Sequence, residues 1–163
     1  MTINFTNILK DSLLRISQKE LSKIHKYKDA HKGEDCYFFG NGVSLKWFDF
    51  KEFSNKITIG ASHLPFHRSF NDLNAKYLLL TEPFWFYPEL ITKYVTNSVS
   101  QPSLSKEYRN VIKSNPDTQF FLNLSNFLVI KSKNISFMFR DIIDPRLPAN
   151  FITNKISSFD GSL

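Results

Sequence analysis

The chain has 163 residues, a formal net charge of +6, seventeen Phe, six Tyr, five Gly and one Cys. That length and aromatic content exclude a disordered tail and suffice for one domain with a buried core, while a lone Cys36 inside an apolar run excludes an internal disulfide and reads as a small buried residue in a reducing compartment. Lys and Arg are spread along the chain without a dense basic block, so nucleic acid is not an expected partner; anionic ligands or anionic membrane surfaces compete with a plain Lys-rich composition as the reason for the charge.

Residues Met1 to Lys10 lack an apolar core of a secretory signal, and no apolar run approaches the ~20 residues of a membrane helix. A cytoplasmic protein is expected, soluble or peripheral at the inner face of a membrane. Between Phe5 and Ile24, the spacing of Leu9, Leu13, Ile16, Leu21 and Ile24 predicts an amphipathic helix, with Lys10, Arg15, Lys19 and Lys23 between them. Its basic face is either solvated or laid on anionic lipid. The polar stretch from Lys26 ends at Gly33, which divides the chain into a helix and linker over residues 1–33 and a sheet domain over 34–163.

Cys36 to Phe39 predicts a first strand buried on both faces, and it breaks into the turn Gly40-Asn41-Gly42 before restarting at Ser44-Leu45. Two glycines permit a tight bend with an open floor, and a helix opening near Ser44 aims N–H groups and a positive dipole end at an anionic ligand. An ordinary turn without ligand is the alternative. Leu45 to Phe53 predicts a short helix, with Asp49 capping a second turn.

Lys56 to Ser62 and Lys76 to Glu82 read as parallel strands with functional tips. Pro83 stands where a helix over Phe84 to Val95 can begin, and Glu89 and Lys93 form an i, i+4 pair in it. Ser105 to Lys113 predicts a further helix and Gln119 to Leu124 a fourth strand. Phe127 to Lys131 and Ile135 to Phe139, flanking Ser-Lys-Asn, resemble a hairpin. Strands alternating with helices imply an α/β layered fold with a mostly parallel sheet.

The order of motifs, GNGVSL at 40–45, Gly60-Ala-Ser62, Leu80-Thr81-Glu82 and Phe159-Asp-Gly161-Ser162, resembles that of the bacterial sialyltransferase-like and motility-associated glycosyltransferase-like families. The latter overlap with hydroxymethylpterin pyrophosphokinase-like domains. The resemblance covers roughly Lys32 to Leu163 and implies a Rossmann-like sheet that is incomplete at the C-terminus. It implies that Gly40, Asn41, Gly42 and Ser44 form the floor for the phosphate and ribose of a nucleotide-sugar donor, which in the sialyltransferases is a cytidine monophosphate sugar. Ser62, Thr81, Glu82, Gly161 and Ser162 line the rest of the donor site. The relatives usually carry Asn at the second and third strand tips, where this chain has Ser62 and Glu82. Glu82 repels a phosphate and suits a ribose, a base edge or a metal. The implied partner besides the donor is a glycan acceptor. The general base and assisting tyrosines of the relatives map beyond Leu163, so the expectation is an N-terminal part, inactive by itself, of a longer enzyme of bacterial surface glycan synthesis. Transfer of pyrophosphate from ATP with Mg²⁺ to a pterin, or a nucleotide-binding module that has lost its chemistry, are the alternatives.

Three further groups are open to two readings each. His63 and His67, with Arg68, are a loop pair or a site group; Phe84-Trp-Phe-Tyr87 is core or a stacking platform. Arg140, Asp141 and the loop Asp144 to Pro148, with Arg146, are solvated or close over a ligand.

Overall fold

The computed structural model describes residues 15–82, 85–87 and 102–138. Among them, β1 (Cys36–Phe39), β2 (Ile57–Ala61), β3 (Tyr77–Leu80), β4 (Gln119–Asn123) and β5 (Ile135–Met138) form one sheet in the order β1-β2-β3-β4-β5. All four pairings are parallel. Residues 15–22 form helix α1, and α2 (Phe70–Leu73) and α3 (Pro102–Ser114) lie between strands. This is the α/β, Rossmann-like sheet with flanking helices that the sequence predicts.

The register explains the core. Phe39, Gly60, Leu78, Phe120 and Ile135 are successive partners across all five strands and point to one face, where each is buried. Leu80, Leu122 and Phe137 make a second row beside them. Because the strand order runs in one direction, right-handed crossovers bring the connections to a single face. Phe50, Leu64, Phe70, Leu73, Tyr108 and Ile112, all from connections, join the same buried cluster. In α3, Leu104, Tyr108 and Ile112 recur at four-residue steps, which turns that stripe onto the core. Each such large side chain contributes about 1.5–3 kcal/mol by leaving water. At Gly60 the connection comes so close that an added Cβ would sit 2.4 Å from Leu64 Cδ2 and 2.7 Å from Leu78 Cδ2.

The N-terminal segment is tied to the other face. Tyr27 meets Phe121 edge-on at 4.9 Å between ring centres and Tyr77 at 5.9 Å. His31 Nε2 lies 2.7 Å from the Tyr77 hydroxyl, so the stretch read as a polar linker anchors to β3. Leu21 and Ile24 are buried, as the amphipathic pattern requires, whereas Ile16, expected on the same face, is exposed; the part of that helix before residue 15 lies outside the described residues.

Several local expectations are corrected. β1 is an edge strand, not one buried on both faces: Phe38 is 63% exposed and Cys36 is exposed rather than buried. Register places both on the face opposite the core row, and among the described residues β1 has a neighbour on one side only. Phe127 to Lys131 is not a strand, and no hairpin forms with it. Its backbone turns back on Asn126, whose carbonyl accepts from both Val129 and Ile130, and β5 pairs with β4 in parallel instead. The apolar side chains there cover the core from a loop; Ile130 is buried and Phe127 and Val129 pack against the cluster. The helix expected over Leu45 to Phe53 is two 3-10 turns, Val43–Trp47 and Phe50–Phe53, and Asp49 caps the second by accepting from the Lys51 N–H. Of the helix expected over Phe84 to Val95, Trp85 to Tyr87 form a turn and bend and the rest lies outside the described residues.

Candidate functional site at the C-terminal rim of the sheet

In a parallel sheet every strand ends at the same rim, where ligands of open α/β folds bind. Here that rim carries Asn41 after β1, Ser62 and His63 after β2, Thr81 and Glu82 after β3, and Asn123 at the end of β4. Among the described strands the order does not reverse, so no switch-point crevice marks the site; the loops themselves must form it.

The first loop is held by Gly42, whose carbonyl accepts the Leu45 N–H at 3.0 Å. Asn41, Gly42 and Ser44 are exposed and Gly40 is half-buried. Gly42 has φ −62°, and the one described glycine with a left-handed φ is Gly33 at 81°. The bend is therefore made without a left-handed glycine. Gly40 leaves an uncovered floor, where an added Cβ would meet Phe38 only at 3.9 Å, whereas one on Gly42 would meet Ser44 Oγ at 3.3 Å. The following 3-10 turn has five residues, so the expected α-helix dipole near Ser44 is absent, and neutral donors carry any attraction for an anion.

Asn41 Oδ1 accepts the His63 backbone N–H at 3.1 Å, which brings the first and second tips together. Its Nδ2 donor is left for another partner. Ser62 adopts a left-handed backbone with φ 48°, a conformation costing on the order of 1–3 kcal/mol for a non-glycine residue. Two bonds hold it there. Its N–H donates to the Leu79 carbonyl at 3.0 Å, and its carbonyl accepts the Tyr108 hydroxyl at 2.8 Å.

Tyr108, fully buried on α3, was not singled out by the sequence reading, because a Tyr at helical spacing among Leu104 and Ile112 looks like plain core. Its hydroxyl also lies 3.0 Å from His63 Nδ1. Burial, and then the charge of Glu82, push its pKa well above the ordinary tyrosine value. Trp85 packs on its ring at 4.5 Å and Phe66 at 4.7 Å, giving an aromatic wall beside His63. Of the aromatic run, Trp85 thus belongs to the rim and Phe86 to the core, where Arg109 lies over its ring at 5.3 Å.

The third tip is fixed by asparagines that the sequence reading also missed. Asn123 donates to the Thr81 carbonyl at 3.3 Å and accepts from Ser125. Asn126, fully buried, donates to the Glu82 carbonyl at 3.1 Å and accepts the Phe86 N–H at 3.1 Å. Glu82 Oε2 is buried with no hydrogen-bond partner among the described residues. A carboxylate oxygen in that state suits a hydroxyl donor or a cation brought by a ligand.

The histidine pair divides. His63 is on the rim, whereas His67 turns inward, accepting the Ser69 N–H at 3.1 Å and packing on Phe50 at 4.7 Å. Among the described residues no three His, Cys, Asp or Glu gather as a metal site, and no helix is long and apolar enough to cross a membrane. Gly161, Ser162, Arg140 and Arg146 lie outside the described residues. Comparison of the chain with protein-family models, curated proteins and solved structures finds no significant match.

Proposed function

We propose that this chain carries the donor site of a nucleotide-sugar-dependent, sialyltransferase-like glycosyltransferase of bacterial surface glycan synthesis. The observation that carries the reading is the Asn41 to His63 bond, which joins the first two strand tips into one platform beside the Glu82 carboxylate. Polarity changes along that rim. Uncharged donors at Asn41 and Ser44 suit a phosphate, while Glu82, a strand further on, repels phosphate and accepts from ribose or sugar hydroxyls. In transfer, an acceptor hydroxyl gives its proton to a general base and bonds to the anomeric carbon, while the bond from that carbon to the phosphate oxygen breaks, its electron pair leaving with the phosphate. Donors at the first two tips then stabilise the growing charge. A glycan acceptor at the inner face of a membrane fits the exposed Arg15, Lys19 and Lys23 of the N-terminal segment, a peripheral contact.

Calorimetric titration with cytidine, uridine and adenosine nucleotides, with and without Mg²⁺, tests this. Metal-independent binding of a cytidine nucleotide supports the donor site. The unpartnered Glu82 Oε2 favours one second reading, pyrophosphate transfer from ATP, because a carboxylate there can meet a magnesium ion; Mg²⁺-dependent ATP binding supports it. Binding of no nucleotide would sink both and leave a module without chemistry.

A further inference from the structure

We infer that His63 is a direct phosphate contact of this rim, acting through an Nε2 that Tyr108 leaves free. The inference rests on the nucleotide reading above and adds a residue to it. A carbonyl oxygen can only accept, so the 2.8 Å separation between the Tyr108 hydroxyl and the Ser62 carbonyl requires the tyrosine's one proton to lie between them. The 3.0 Å contact to His63 Nδ1 must then be made by a proton on the ring, with Nδ1–H donating to the tyrosine oxygen. This fixes the tautomer and orients the ring, leaving Nε2 as the ring nitrogen open to a ligand.

The same bond survives protonation, because Nδ1 keeps its hydrogen in the imidazolium. His63 is exposed, and its own backbone N–H is held by Asn41, which ties the residue to the first loop. Around it are Tyr108 from α3 and the uncharged rings of Trp85 and Phe66. Glu82, at the tip of β3, is the carboxylate that acts on Tyr108, and Arg68 is exposed on the same loop as His63. A protonated Nε2–H donates a charge-assisted hydrogen bond to a phosphate oxygen, so the ligand class is a phosphodiester or phosphomonoester seated between the first two tips.

The probe is cytidine 5′-methylphosphate, a phosphodiester. The wild type is expected to bind it about tenfold more tightly than His63→Phe, whose ring cannot donate, while His63→Gln, whose amide mimics the donor, keeps most of the affinity. Nitrogen NMR of the His63 ring is expected to show the Nδ1–H tautomer in the wild type and its loss in Tyr108→Phe. If the wild type binds the diester and His63→Phe binds it equally well, the His63 contact is wrong while the nucleotide site stands. If the wild type binds no diester, the nucleotide reading itself fails and takes the contact with it.

Discussion

Asn41 and His63 are 22 positions apart, yet one side-chain oxygen meets the other's backbone N–H and locks two loops at the sheet rim. A side chain read from sequence as a ligand contact is thus also structural, and the two roles separate by substitution. Asn41→Asp keeps an acceptor for the His63 N–H but replaces the free Nδ2 donor by a negative charge. Its melting temperature is expected to stay near that of the wild type while affinity for a cytidine nucleotide falls tenfold or more, about 1.4 kcal/mol. Asn41→Ala loses the loop bond as well and is expected to cost about 1 kcal/mol of stability. Equal nucleotide affinity in Asn41→Asp and wild type would remove Asn41 from the site.

The strands were legible because parallel strands leave apolar runs bounded by turn residues, and all five fall where Cys36, Ile57, Tyr77, Gln119 and Ile135 begin such runs, although the partner expected for the last was wrong. Exposure was not legible. The run Cys36 to Phe39 looks the same on an edge as in the middle of a sheet, since only pairing partners tell them apart. Phe127 to Ile130 misled for a related reason: a loop packed over a core is as apolar as a strand, and the deciding bonds, from Val129 and Ile130 to the Asn126 carbonyl, are backbone bonds with no composition. The candidate site was legible in its turn motif. Tyr108, Asn123 and Asn126 were not, because each reaches the rim from a distance of more than 40 positions along the chain.

Tyr108 gives the molecule a pH limit on the alkaline side. Burial, reinforced by Glu82, raises the folded-state pKa above the unfolded value near 10. The unfolded chain therefore loses this proton first as pH rises. Stability is fully present below about pH 10 and declines above it, by at most about 1.4 kcal/mol per pH unit from this one group. Tyr108→Phe is expected to lower stability by about 1–2 kcal/mol at pH 7, by removing the donor to the Ser62 carbonyl, and to flatten the alkaline decline. Tyr77 and Tyr87, also raised by burial, leave a smaller residual slope. Urea midpoints at pH 7, 9.5 and 10.5 measure this; an undiminished decline in the variant would contradict it.

Two glycines are expected to respond in opposite ways. Gly60→Ala forces a methyl against Leu64 and Leu78, which are 3% and 0% exposed and have little room to yield. The expected loss is about 1–3 kcal/mol. Gly40→Ala meets nothing closer than 3.9 Å and should leave the melting temperature within a degree or two. Its methyl narrows the open floor, so nucleotide affinity should fall where stability does not. A melt and a titration on each variant decide the matter; stability loss in Gly40→Ala would show that the floor is a packing feature.

Asn126 is the fully buried one of the two asparagines that hold the third tip. It is 0% exposed, and three bonds converge on its amide: donation to the Glu82 carbonyl at 3.1 Å and the Asn123 carbonyl at 3.4 Å, and acceptance from Phe86 N–H at 3.1 Å. Asn126→Leu has nearly the same volume but leaves the Phe86 N–H and the Glu82 carbonyl without this partner, which is expected to cost about 2–4 kcal/mol. Asn126→Asp separates the halves of the amide. The carboxylate still accepts from Phe86 but faces two carbonyl oxygens, so burial and repulsion raise its pKa and the charged form is the costly one. Protonation restores one donor. The deficit of Asn126→Asp against the wild type should therefore shrink as pH falls from about 7 to about 4.5, whereas that of Asn126→Leu should not change. Urea unfolding at both pH values reads the difference, and a pH-independent deficit in the Asp variant would mean that the two donated bonds do not hold the Glu82 tip.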